Sequence, residues 1–304
     1  MAIFSSIGEG WKLFKDSFRF LFKKPIFLLP ILVSWIVFTG VVLYLRYYFT
    51  FPSSFLLGIG YFYLLIFLIT FVICLANIVM LEFMQQLESG EKISLSKALK
   101  EALVFDLLKV IPIAMIWAII WVIILIIKAL TSKKKGGGKA EPSARDAART
   151  LGGAESGPFS WLKLGLNMFE KLVRMVVFLT LPAIAWEHKG PFSSFGQAFK
   201  IIKKHPVQFF TTYTLTGFAA LIMALPLLPI FLLDDAGVTF SATFWTIVII
   251  YEGIIWTLGI YLEQMSVGLL YLWHIKWVKS GSKGELSSIS KPDLLDDVYE
   301  LKRT

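Results

Sequence analysis

Charge is scarce in this chain, and so is most of what catalysis uses. Only 17% of its 304 residues are Asp, Glu, Lys or Arg, against about 25% in soluble domains. Cysteine occurs once, as Cys74. That excludes an intramolecular disulfide and a thiolate-built metal cluster, and its place in an apolar run reads as packing rather than reactivity. Histidine occurs three times, at His188, His205 and His274. No HExxH pair or Cys/His cluster surrounds them, and no GxSxG elbow offers a serine nucleophile. Gly136-Gly137-Gly138-Lys139 lacks the four-residue spacer and the Ser or Thr of a phosphate loop. Nothing argues for an enzyme, and no metal or cofactor is expected.

What is present is apolar surface. Hydrophobic residues make up 57% of the chain, with 27 Phe and 10 Trp, and the mean hydropathy is +0.72. Six apolar runs, near 26–45, 55–81, 110–127, 172–186, 207–233 and 242–273, reach or approach the roughly 20 residues that a helical span needs. The expected fold is all-α, a polytopic transmembrane bundle of about six spans forming a single membrane domain over 1–304. The fourth run is the weakest. No cleavable leader is expected, since residues 1–24 are amphipathic rather than a short apolar core with a small-residue cleavage site.

Three amphipathic segments precede spans one, three and five. In 11–24, Trp11, Phe14, Phe18, Leu21 and Phe22 share one face at 100° per residue, opposite Lys12, Lys15, Asp16, Arg19 and Lys23. Segment 93–109 is less regular, because Asp106 falls on its apolar side. In 191–206, Phe195, Ala198, Phe199 and Ile202 oppose Lys200, Lys203 and Lys204. Aromatic and basic faces of this kind predict helices lying in the membrane interface, with Trp11, Phe14, Phe18, Lys12, Lys15, Arg19, Lys200, Lys203 and Lys204 at the lipid boundary. The stretch SFRFLFKKP (17–25) also matches AFKIIKKHP (198–206) in its Phe, base and Pro positions. Segment 98–106 keeps only the Ala-Leu-Lys opening and has no Pro. The pattern reads as three copies of interfacial helix, span and return span.

Net charge is +9, and the bases flank apolar runs, so anionic headgroups are expected partners and nucleic acid is not. A membrane-protein partner or a second copy remains open. With six spans, 18 Lys and Arg lie on the side of both termini and 9 on the other. This favours a multi-pass plasma-membrane protein with cytoplasmic termini. The basic loop 131–160 would then face outward; its Gly, Ser, Ala and charge content predicts a mobile, dispensable segment. Residues 280–304 form a polar tail.

Five ionisable residues fall at bilayer depth, where each is expensive: Glu252, Glu263, Glu170, Lys171 and Arg174. Glu252 and Glu263 are eleven residues apart and share a helix face; Glu170 and Arg174 stand at i, i+4. The carboxylates could form a proton or cation path, or be ion pairs fastening helix six to helix four. Lys171 and Arg174 are the expected partners of Glu252, and Asn77 and Asn167 are expected to hydrogen-bond between helices. Pro226 and Pro229 read as the exit of span five.

The stretches 8–32, 77–103, 179–206 and the last span resemble an uncharacterised family of six-span prokaryotic integral membrane proteins. That resemblance implies the architecture and assigns no catalytic residue. The function these readings favour is a non-catalytic structural, scaffold or accessory membrane protein; the alternative is a transporter or lipid-handling protein with a site between helices four, five and six.

Overall fold

Proline decides where the chain bends. α1 (Ala2–Lys23) stops before Pro25, because the proline ring clashes with a helical preceding residue. A 3-10 turn over Pro25–Leu28 leads into α2 (Leu29–Tyr48), and the two helices meet at 101°. His205 and Pro206 likewise separate α7 (Pro191–Lys204) from α8 (Pro206–Ala224). No proline stands between α4 (Leu95–Glu101) and α5 (Leu107–Thr131). There the chain passes through a π-turn, Ala102–Asp106, and runs as one helix from Leu95 to Lys128. The second amphipathic segment is therefore continuous with the helix that carries the third apolar run, and not set off by a bend as the first and third segments are. The remaining helices are α3 (Phe55–Glu88), α6 (Trp161–Ala185), α9 (Leu227–Asp235) and α10 (Ala242–Lys279). The structure is a computed structural model and describes residues 2–48, 54–131, 145, 161–281 and 286. Apart from Thr131 and Arg145, the loop 131–160 lies outside the described residues, as does nearly all of the tail.

The described residues form an all-α bundle without strands. Four helices are long and apolar enough to cross a membrane: Leu57–Glu88, Leu95–Lys128, Pro206–Ala224 and Ala242–Lys279. The bent pair Ser6–Lys23 and Pro25–Gly40 makes a fifth if taken as one span. The expected six are thus not all found by length and composition. α6 falls short because every membrane-length stretch of it contains Glu170, Lys171 and Arg174.

The helices arrange as three consecutive units, α1-α2-α3, α4-α5-α6 and α7-α8-α10, with α9 inserted in the last. Each unit's leading helix packs on the unit before it, in a closed cycle. α1 lies on α8 and α10, α4 lies on α3, and α7 lies on α5 and α6. The return helix α6 contacts both α3 and α10.

α3 and α10 far outrun a bilayer. At 1.5 Å per residue a helix of 38 residues is about 57 Å long, against roughly 30 Å of hydrocarbon. The core sits in the C-terminal half of each. Residues 76–88 of α3 and 260–274 of α10 are buried without interruption, under the shell of α1, α4 and α7. Elsewhere the spans expose large apolar side chains, among them Ile36, Leu64, Ile119, Phe218, Leu221 and Ile247. Such a belt is unsustainable in water and suits lipid.

α1 and α7 have three faces rather than two. In α1, Leu13, Ser17 and Phe20 are fully or almost fully buried against protein. The aromatic face is open, with Trp11 52% and Phe22 72% exposed, and Lys12, Lys15, Arg19 and Lys23 form an exposed third face. α7 repeats this with Ser194, Ala198 and Ile201 buried, Phe192 75% exposed, and Lys200, Lys203 and Lys204 outward. Positions 11–23 and 192–204, 181 residues apart, are buried, half-buried or exposed alike at all thirteen places. The same offset relates Leu81-Glu82-Phe83-Met84 to Leu262-Glu263-Gln264-Met265, so the repeat runs from the leading helix into the return helix.

Candidate functional site: the buried polar network

Glu263 is the centre of the site. It sits on the buried face of α10, where its carboxylate accepts from Arg174 Nε at 2.6 Å and Arg174 Nη2 at 2.8 Å. Two parallel charge-assisted bonds make this a bidentate pair, the strongest form of the interaction. Lys171, one turn before Arg174 on α6, brings Nζ to 3.9 Å from Glu263 Oε1. It also donates to the Tyr213 carbonyl on α8 and stands 4.7 Å from the Tyr213 ring centre, within cation–π range. Gly217 makes that approach possible, since a Cβ there would lie 2.7 Å from Lys171 Nζ. The network ties α6, α8 and α10 together.

The other sequence-singled groups do not join it. Glu170 pairs with Lys128 on α5, and Lys109 pairs with Asp106 at 3.1 Å. Glu252 faces the bundle and is 8% exposed, yet among the described residues neither of its carboxylate oxygens has a hydrogen-bond partner. Its expected pairing with Lys171 and Arg174 fails because Glu263 takes both: eleven residues along α10 amount to about 16 Å, beyond the reach of one cation. Asn77 is fully buried without a side-chain hydrogen bond among the described residues, and Asn167 is exposed, so neither serves as interhelical glue there. That role falls to Thr70, which donates to the Ala114 carbonyl at 3.1 Å, and to Gln264, which donates to the Phe178 carbonyl at 3.2 Å.

Two features escaped sequence reasoning. Ser17 on α1 and Ser266 on α10 bond hydroxyl to hydroxyl at 2.9 Å, both fully buried. His205 and His274 meet Nε2 to Nδ1 at 2.9 Å, with the Trp277 ring 5.4 Å from His205. Their 69-residue separation hides the pair. One signal was available: 181 residues before His205 stands Lys24, which is exposed, so the repeat changes residue type where exposure changes to burial.

Burial, reinforced by the neighbouring His274 and Lys204, pushes the His205 imidazole down to about 4. From its ordinary value of 6.5 down to about 4, the unfolded chain takes up a proton there that the folded chain refuses. Stability should therefore fall as pH falls through that window. At about 1.4 kcal/mol per unit, the His205 share of the stability lost between pH 7 and pH 4.5 is roughly 2 kcal/mol, so melting in micelles should show His205→Gln losing less than wild type by about that amount. An equal slope in that variant would refute the assignment.

Among the described residues, no group of three or more His, Cys, Asp or Glu side chains is placed to hold a metal ion. No family model, curated protein or solved structure matches the chain. Fold and site together define a helical membrane protein with a salt-bridged interior.

Proposed function

We propose that this chain is a non-catalytic structural, scaffold or accessory protein of the plasma membrane, in keeping with the six-span family it resembles. In this reading α1, α4 and α7 mark the cytoplasmic end of the bundle and both termini share that side. The observation that carries it is the matched pair α1 and α7. Each turns one face to protein, presents an aromatic face, and sets a row of Lys or Arg beside it. A helix so divided seats its rings at the acyl boundary and its bases among anionic headgroups. Two copies, held by different units, give the protein two anchoring points on one leaflet. The paired charges of α6 and α10 support a fixed bundle over a moving one.

The test is lipid retention. Native mass spectrometry of protein extracted from vesicles of mixed phosphatidylcholine and phosphatidylglycerol should show phosphatidylglycerol retained preferentially. Replacing Lys12, Lys15 and Arg19 together with Lys200, Lys203 and Lys204 by Gln should abolish that preference while the protein stays monodisperse. Unchanged retention would sink the anchoring role.

A further inference from the structure

A carboxylate buried in an apolar span must be neutralised by a proton or matched by a cation, since ionised it costs about 2.5–3.5 kcal/mol or more. Glu252 is such a group: 8% exposed, on α10, with neither oxygen bonded to any described residue. Among the described residues no basic side chain is paired with it. Trp256 stands at i+4, on the same face and one turn away. The Trp35 ring of α2 lies directly on the neighbouring Gly253, where a Cβ would come within 2.0 Å of Trp35 Cζ2. Trp35 and Trp256 have ring centres 6.1 Å apart, and Phe38 is 6.5 Å from Trp256. Both tryptophans are only half-buried, so the pair borders the lipid side of the bundle.

We propose that Glu252 and the Trp35–Trp256 pair form a binding site for a lipophilic organic cation, on the lipid-facing edge of the seam where α2 packs on α10. The carboxylate supplies the counter-charge, and the indole faces attract a weakly hydrated cation. A small metal ion is a poor fit, because hard cations require several oxygen ligands and Glu252 has no companion in a ligand group among the described residues. An ammonium or phosphonium with apolar substituents reaches the site from the hydrocarbon and leaves little hydration behind. The inference does not rest on the scaffold reading and extends beyond it.

The probe is tetraphenylphosphonium, measured by equilibrium dialysis against the full-length protein in phosphatidylcholine nanodiscs at pH 8. Wild-type protein should bind it saturably. Glu252→Gln should weaken binding at least tenfold and Trp256→Leu several-fold. Glu252→Gln should also melt no lower than wild type, because it deletes an unpartnered charge; this separates a lost site from a lost fold. Absence of saturable binding to wild type, or equal binding by Glu252→Gln, overturns the proposal. So does a Glu252-dependent change in tryptophan fluorescence with pH alone and no probe binding, which would mean the carboxylate takes only a proton.

Discussion

Arg174→Gln should lower stability by about 3–5 kcal/mol, the usual consequence of leaving one partner of a buried ion pair uncompensated. The pair qualifies: Glu263 is 4% exposed in its side chain and receives two short bonds from the guanidinium. Lys171, at 3.9 Å, holds the loss toward the lower end by covering part of the freed charge. Glu263→Gln leaves both cations facing each other and should cost at least as much. The double change Arg174→Gln with Glu263→Gln should recover a large part of either loss, because two neutral amides replace a stranded charge. Equilibrium unfolding in micelles decides it. Single changes under about 1 kcal/mol, or a double change equal to the sum of the singles, would show that the pair does not hold the bundle.

Gly253→Ala should destabilise by about 1–2 kcal/mol, although alanine is the better helix former. The added Cβ would stand 2.0 Å from Trp35 Cζ2 and 2.4 Å from Cε2, so the whole indole must shift. Overpacking of this sort costs about 1–3 kcal/mol, offset by up to about 1 kcal/mol of helix propensity. Gly259 on the same helix is the control. A Cβ there meets nothing within 4 Å, so Gly259→Ala should be neutral or stabilising by up to about 1 kcal/mol. Gly253→Ala should thus melt below wild type and Gly259→Ala no lower than wild type. Parallel shifts would mean that the contact between α2 and α10 is not tight.

Much of the bundle was legible in advance because its signals are local. The aromatic and basic faces of α1 and α7 follow from a 3.6-residue period, and the helix breaks at Pro25 and Pro206 follow from the ring. The missing proline in 98–106 was equally visible, and it explains why α4 continues into α5. The third face was not legible. Ser17 and Phe20 share no chemistry that marks them as buried; Ser17 is buried because α10 lies against it, and Phe20 because the chain folds back to set Phe27 on it. The repeat offset of 181 residues was present in the Leu-Glu-x-Met pair at 81–84 and 262–265, though an apolar chain offers many such short coincidences.

The polar network divides the same way. Composition and hydropathy by themselves determined a helical membrane protein, and periodicity determined that Glu252 and Glu263 share a face turned into the bundle. Which of them meets Arg174 depends on the axial stagger of α6 against α10, set by packing between residues nearly ninety positions apart. Only the tertiary structure decided that Glu263 is satisfied and Glu252 is not. It also decided that α6 can carry Glu170, Lys171 and Arg174 inside the bundle, because Lys128, Glu263 and Tyr213 reach them from three other helices. A helix's own sequence records its charges; whether they are neutralised is a property of its neighbours.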